Sequence, residues 1–291
     1  MYGLTNYYHT HTTNIVPLRH DLETVRALHR AYADKTESFF SGLKQIAGDP
    51  HQVKVRNFGS TRTFIARGHD WSNRVTLNGG ESFELIEEIL SYYDEHQEKC
   101  HIEWNPAVCY RPDSWNDELG HYLTDRGFRQ GGFRCVWHRL TTPNINSLPS
   151  EIDIRRFGPD EVDHFIDILS EMEKKNVQEV SELRHSVAFG EGSTQWHHYI
   201  GYFNQIPCCT ATLFENGDIG CLDWGHTLPE FRGRGCHKAL IDRRVLDAHN
   251  AGCEQVFAVT DFNIPSASNL QRAGFQLAYN YTMRIREPNQ T

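Results

Sequence analysis

The 291-residue sequence has no uncharged apolar run long enough to cross a bilayer, which takes about 18 residues or more. No basic segment leads into an apolar core at its N-terminus, so no secretory signal is read there and a cytoplasmic location is expected. Positive charge is in short supply: 29 Lys and Arg face 38 Asp and Glu, for a net charge of −9. Nucleic acid is therefore disfavoured as the main partner, because phosphate backbones need a basic surface. No CxxC pair occurs among the 8 Cys, and no HExxH or comparable ligand spacing is found, so no metal is expected. A chain of this size can bury a core without disulfides, and scattered cysteines fit a reducing compartment.

What is present is ordinary globular composition, with 38% hydrophobic and 12% aromatic residues. The length is a soft prior for two domains. A Pro-, Thr-, Asn- and Ser-rich stretch, 141–150, falls at mid-chain and reads as a linker. The segments on either side end alike. Leu123-Thr124-Asp125-Arg126-Gly127-Phe128 precedes a strand-like run to Leu140, and Leu270-Gln271-Arg272-Ala273-Gly274-Phe275 precedes another to Arg286. The two glycines lie 147 positions apart, Gly127 against Gly274. A repeat of that period indicates two copies of one unit, with boundaries 1–140 and 151–291.

The second half alternates strand and helix signals. Strands are expected over 151–157, 199–203, 208–214, 219–228 and 256–259, with a final strand after Phe275. Val162, Phe165, Ile166 and Leu169 have helical spacing, a helix is expected over 236–250, and a short one over 266–273. In the first half Leu22, Val25, Leu28 and Tyr32 mark one helix, and Ile86, Ile89, Leu90 and Tyr93 mark another behind a Ser82 cap.

The chemistry-bearing stretch runs from Thr227 to Leu240. A strand ends at Pro229, a Gly-rich turn follows, and a helix begins at once. Free backbone N–H groups at such a turn, with the positive helix end, can cradle an anion. Gly233 and Gly235 remove Cβ interference, and Arg232 and Arg234 add charge. The alternative is a surface turn with two solvated arginines. The run is neither a P-loop nor a dinucleotide GxGxxG.

Arg232-Gly233-Arg234-Gly235-Cys236 resembles the (Arg/Gln)-x-x-Gly-x-(Gly/Ala) motif of the GNAT superfamily of acyl-CoA-dependent N-acetyltransferases, with His237 departing at the last position. Asn263, Ser266, Asn269 and Gly274-Phe275 look like the family's Asn-x-x-(Ala/Ser)…Gly-Phe helix. The resemblance covers about 150–286. The first half looks like a degenerate copy, through Asn73-Arg74-Val75, Gly79-Gly80, Glu103-Trp104-Asn105-Pro106 and Gly127-Phe128, without the Arg-Gly-x-Gly cradle.

The resemblance implies an α/β (α+β) fold of two tandem GNAT-like domains, each a mixed, mostly antiparallel central sheet flanked by helices. It implies acetyl-CoA as co-substrate, bound in the second half only, and transfer of its acetyl group to a primary amine of a small molecule or protein. A non-catalytic acyl-CoA-binding or sensing module is the alternative, and a scaffold of two packed halves a third. The implied cofactor-binding residues are Thr227, Leu228, Arg232, Gly233, Arg234, Gly235, Cys236, His237, Asn263, Ser266 and Asn269. The fourth and fifth strands would splay around the thioester arm. Backbone groups of Thr227 and Leu228 would pair with the pantetheine, and an N–H near His226 would polarise the carbonyl.

Transfer needs a neutral amine, so a general base is sought, and Asp223 and His226 are the candidates. Three apart on a regular strand, they would face opposite sides. Leu270 stands where many relatives carry the tyrosine that protonates the thiolate. Tyr279 and Tyr281 are the candidate substitutes, with Ser268 or a water as alternatives. Residues 151–191 carry 11 acidic and 5 basic groups, a field that would attract a cationic acceptor. Trp196, His197, His198 and Tyr202 would line the acceptor cleft or fill the core.

Overall fold

A computed structural model describes residues 22–68, 73–105, 108, 118–143, 149–158, 161–191 and 193–289. Residues 144–148 of the expected linker, and Pro159 and Asp160 of the expected helix start, lie outside the described residues. The chain runs α1 (Leu22–Lys44), β1 (Lys54–Phe58), β2 (Thr61–Ile65), β3 (Arg74–Thr76), α2 (Phe83–His96), β4 (Cys100–Trp104), α3 (Glu118–Asp125) and β5 (Arg129–Leu140). The second half follows with β6 (Ile152–Arg156), α4 (Val162–Glu173), α5 (Val177–Glu191), β7 (Trp196–Phe203), β8 (Ile206–Asn216), β9 (Ile219–Thr227), α6 (Cys236–Asn250), β10 (Gln255–Asp261), α7 (Pro265–Arg272) and β11 (Gln276–Arg286). The expected helix over 236–250 matches α6 at both ends, and α7 starts one residue early because Pro265 occupies its first turn. Ser82 caps α2 by accepting the Leu85 N–H at 3.2 Å.

The order β1–β2–β3–α2–β4–α3–β5 recurs as β7–β8–β9–α6–β10–α7–β11. All eleven strands form one sheet, ordered β1-β2-β3-β4-β11-β5-β10-β9-β8-β7-β6. Each copy's last strand has crossed over. β5 pairs antiparallel with β10, from Gln255↔Leu140 to Asp261↔Arg134, and β11 pairs antiparallel with β4, from Thr282↔Trp104 to Arg286↔Cys100. β5 and β11 also pair with each other. The edges of β4 and β10 that the exchange covers are thus paired, and β1 and β6 form the outer strands of the sheet.

The core follows the exchange. On one face α1 lies across the second half, packing against α5, β8 and β9 as well as β2. Val25, Leu28 and Ala31 of α1 meet Val136 of β5, Phe257 of β10, and Tyr279 and Tyr281 of β11. On the other face Leu240, Ile241 and Val245 of α6 pack on Ala211, Leu213, Leu222 and Val256. A separate cluster seats Ile86, Ile89 and Tyr93 of α2 on Val75 and Ile102. Fully burying a Leu, Val or Phe contributes roughly 1.5–3 kcal/mol, so the α1 seam ties the halves together strongly. No helix of the described residues is long and apolar enough to cross a membrane.

A fragment spanning 149–291 would lack β5 between β10 and β11. Alone, it is expected to melt without a cooperative transition, and addition of a 1–143 fragment should restore one. A sharp calorimetric transition for the isolated fragment would show that β11 closes on β10 unaided.

Candidate functional site

The site is opened by an irregularity in β9. Its register against β8 jumps from Thr212↔Asp223 to Thr210↔His226, so Ala211 faces two residues, Trp224 and Gly225. Trp224 takes the left-handed conformation, φ 46°. Such a bulge adds one residue and shifts the side-chain alternation. Thr210 and Thr212 share a face of β8, so their partners Asp223 and His226 share a face of β9. This corrects the expectation that the two residues point to opposite sides.

The bulge also ends the pairing of β9 with β10. The parallel ladder covers only Gln255↔Ile219 to Ala258↔Leu222, and beyond it the strands part. The gap is a cavity of about 330 Å³ lined by Asp223, Trp224, Gly225 and His226 from β9, by Val259, Thr260 and Asp261 from β10, and by Glu173, Ser266 and Leu270, among others. Arg244 of α6 repairs the broken ladder, its Nη1 donating to the carbonyls of Thr212 and Asp223, both at 3.1 Å. Burial lowers this guanidinium to about 10, so it stays charged near neutrality.

Two side chains from the first half reach the cavity. Lys35 of α1 forms an ion pair with Asp223, and Arg134 of β5 lines the wall, paired with Asp261 at 2.8 Å. Burial alone would raise the Asp223 carboxyl, but the Lys35 ammonium holds it below its ordinary range. His226 Nε2 lies 3.3 Å from Glu173 Oε1 at the end of α4. Burial opposes ionisation of Glu173 as well, yet hydrogen bonds from His226 and Lys175 keep it ionised to lower pH than usual. A carboxylate that orients an imidazole on a cavity wall is the arrangement of a general base and its positioning group.

The expected anion cradle continues from the mouth of the gap. Leu228 N–H is held by Cys208 O on β8 at 2.9 Å, so of the expected pair only the Thr227 backbone faces the parted side. A short 3₁₀ turn over Pro229–Phe231 leads to Gly233 (φ 76°) and Gly235 (φ 90°), the latter capping α6. A Cβ on Gly233 would meet nothing within 4 Å, so the turn is open. The first backbone bond of α6 runs from Ala239 N to Gly235 O, leaving the N–H groups of Cys236, His237 and Lys238 without intrahelical acceptors. Arg234 lies over the Phe203 and Phe231 rings, at 5.0 and 5.6 Å, and Arg232 Nε reaches Thr227 O at 3.4 Å. Cys236 is buried beside Cys208, sulfur to sulfur at 3.9 Å. These residues fit a diphosphate: open glycines, free amides, a helix N-terminus and two arginines.

Not every expected residue reaches the gap. His237 and Ser266 line it, whereas Asn263 sits in the exposed turn after β10 and the Asn269 side chain is engaged by Arg272. Tyr279 and Tyr281 are packed under α1 and are not among the cavity-lining residues, and burial pushes both phenols well above their ordinary range. Trp196 and His198 stack on Trp224 from behind, with centroids at 6.2 and 6.3 Å, so they back the wall. Lys35, Arg134, Glu173 and Arg244 were not singled out from the sequence. The first two arrive only through α1 packing and the β5 exchange.

The first half has its own version of this turn, and it is filled. The Glu81 carboxylate accepts the N–H groups of Asn78 (2.6 Å) and Gly79 (3.0 and 3.2 Å) and the Thr61 hydroxyl (3.1 Å).

No family model and no curated protein matches this sequence. Solved structures do match its fold. A tandem GNAT protein from the clavulanic acid biosynthesis pathway superposes with a TM-score of 0.61 at 12% identity, over 94% of this chain and 97% of its own. The fold is the tandem GNAT fold. A GCN5-related N-acetyltransferase from Kribbella flavida gives 0.60 at 12% identity, over 89% and 96% of the two chains. A conserved protein of unknown function from Staphylococcus epidermidis gives 0.60 at 10%, over 85% and 98%. The GNAT architecture inferred from the Arg-Gly-Arg-Gly run therefore extends over both halves.

Two buried imidazoles of this GNAT fold set a pH limit. Burial pushes His198 down to about 3 and His237 to about 4, against about 6.5 when unfolded. The unfolded chain then binds more protons between those values, so stability is lost as pH falls from about 6.5. Unfolding free energy should fall from pH 6.5 to 5 by on the order of 1 kcal/mol per pH unit per histidine, read as a progressive drop in melting temperature. A flat calorimetric profile over that range would contradict neutral burial.

Proposed function

We propose that the protein transfers an acetyl group from acetyl-CoA to a primary amine. The observation that carries this reading is the continuity of the parted β9–β10 gap with the open cradle at Gly233–Gly235, with the His226–Glu173 pair on the gap wall. Acetyl-CoA supplies an activated acyl group. Its diphosphate would sit on the N–H groups opening α6, between Arg232 and Arg234, and its arm would run along Thr227 into the gap. His226 takes the proton from the attacking amine, directly or through a water, and Glu173 fixes the orientation of the imidazole. Asp223 is the poorer base because Lys35 holds it ionised. The acidic excess over residues 151–191 suits a cationic acceptor. The amine nitrogen bonds to the carbonyl carbon, the C–S bond breaks, and the thiolate takes a proton from solvent.

Glu81 supports placing acetyl-CoA in the second half alone, because the first-half turn already holds a carboxylate. Calorimetric titration of the full chain with acetyl-CoA is expected to give one equivalent. The double substitution Arg232→Ala with Gly235→Glu should abolish binding. Two equivalents, or intact binding in the double variant, would contradict the assignment.

With a panel of primary amines, free CoA thiol should appear only when acetyl-CoA and a suitable amine are both present. His226→Gln should lower kcat by about 10²–10⁴ while acetyl-CoA binding is kept. An unchanged kcat would remove His226 from the role of base. A second reading, a non-catalytic acyl-CoA-binding module, is favoured by apolar Leu270 on the gap wall where relatives carry an acid. Binding without thiol release for any amine would favour it.

A further inference from the structure

The first half contains a second cavity, on the α1 side of its sheet, whose charged lining is entirely basic. A cavity of about 320 Å³ lies between α1, β2 and β3, lined by Arg26, Arg30, Arg62, Thr76, Asn78 and Gly79, with Ala33 and Ser60 completing the wall. Whereas the second-half gap is lined by both signs, Glu173, Asp223 and Asp261 with Arg134 and Arg244, the charged side chains of this cavity are of one sign. Here three arginines line the cavity and no acid does.

The arginines are held differently. Arg26 and Arg30 are one turn apart on α1 and share a face. Arg62 pairs directly with Thr76 across the β2–β3 ladder, which puts both on the α1 side of the sheet. Asp34 and Glu37 of α1 anchor Arg62, at 2.5 and 3.1 Å, and fix where its guanidinium points. Arg30 reaches Glu23 at 3.1 Å, but both side chains are about half exposed or more, and such a pair holds weakly. Arg26 has no hydrogen-bond or ion-pair partner among the described residues. A second observation is independent of charge: Thr76 is 3% exposed, yet its hydroxyl has no hydrogen-bond partner. A buried hydroxyl left unpaired costs stability, and most such groups are satisfied by protein, water or ligand.

We propose that this first-half cavity binds a small phosphate-bearing molecule. Its phosphate would sit between the Arg26 and Arg62 guanidiniums and accept a hydrogen bond from Thr76. Guanidinium forks match phosphate oxygens in pairs, and the cavity lies at the small end of the size range of ligand sites. The degenerate half is then a second ligand site rather than a spent copy. The inference does not depend on acetyl transfer in the second half.

The test is calorimetric titration of the full chain with inorganic phosphate, with succinate as a dicarboxylate control. Phosphate should bind, and succinate more weakly. Arg26→Ala should weaken phosphate at least 10-fold with unchanged melting temperature, and Thr76→Val several-fold with an unchanged or higher one, while Arg232→Ala leaves phosphate binding unaltered. Absent binding, or binding indifferent to both Arg26→Ala and Thr76→Val, overturns the proposal. Loss in Arg232→Ala alone also overturns it, because it moves the phosphate to the α6 cradle, a result that leaves the acetyl-CoA reading intact. Succinate binding as tightly as phosphate overturns the choice of ligand class.

Discussion

Strand β5 is the constraint on which the rest of the molecule depends. It belongs to the first sequence repeat and lies between β10 and β11 of the second. Seven residue pairs, Gln255↔Leu140 to Asp261↔Arg134, fix its register on β10. That register points Val136 into the seam under α1 and brings Arg134 to the gap wall. With β11 in turn closing the edge of β4, neither repeat has a complete sheet of its own. The passage of α1 over β8 and β9, and the reach of Lys35 to Asp223, follow from that joining.

Within this frame the site is made by a local failure of pairing. The bulge at Trp224–Gly225 puts Asp223 and His226 on one face, ends the β9–β10 ladder at Leu222↔Ala258, and leaves carbonyls that Arg244 takes up. The first half carries the same topology, and β3 meets β4 over only two residue pairs. What differs is chemistry. Glu81 fills the turn that Gly233 and Gly235 leave open, and the first-half cavity is lined by arginines alone among charged residues, whereas the second-half gap mixes both signs.

Much of this was legible in the sequence. The 147-residue spacing of Gly127 and Gly274, the cap at Ser82, the helix over 236–250 and the Arg-Gly-Arg-Gly turn are local features, and local rules suffice for them. The exchange of β5 and β11 was not legible, because either strand could satisfy either edge by pattern alone. A regular strand puts Asp223 and His226 on opposite faces, and the left-handed tryptophan that brings them to one face gives no signal in sequence. Residue type alone makes Tyr279 and Tyr281 candidates for the chemistry, whereas their positions under α1 make them core. Lys35 and Arg134 could be found only after long-range packing was known.

Backbone hydrogen exchange of the full chain, measured with and without acetyl-CoA, tests the central claim most directly. The amides from Thr227 to Lys238, at the gap mouth and the opening of α6, are expected to gain protection. Those of Asn78 and Gly79, already engaged by Glu81, should not change. Protection confined to the first half, or none at either turn, would contradict the placement of the cofactor and the function built on it.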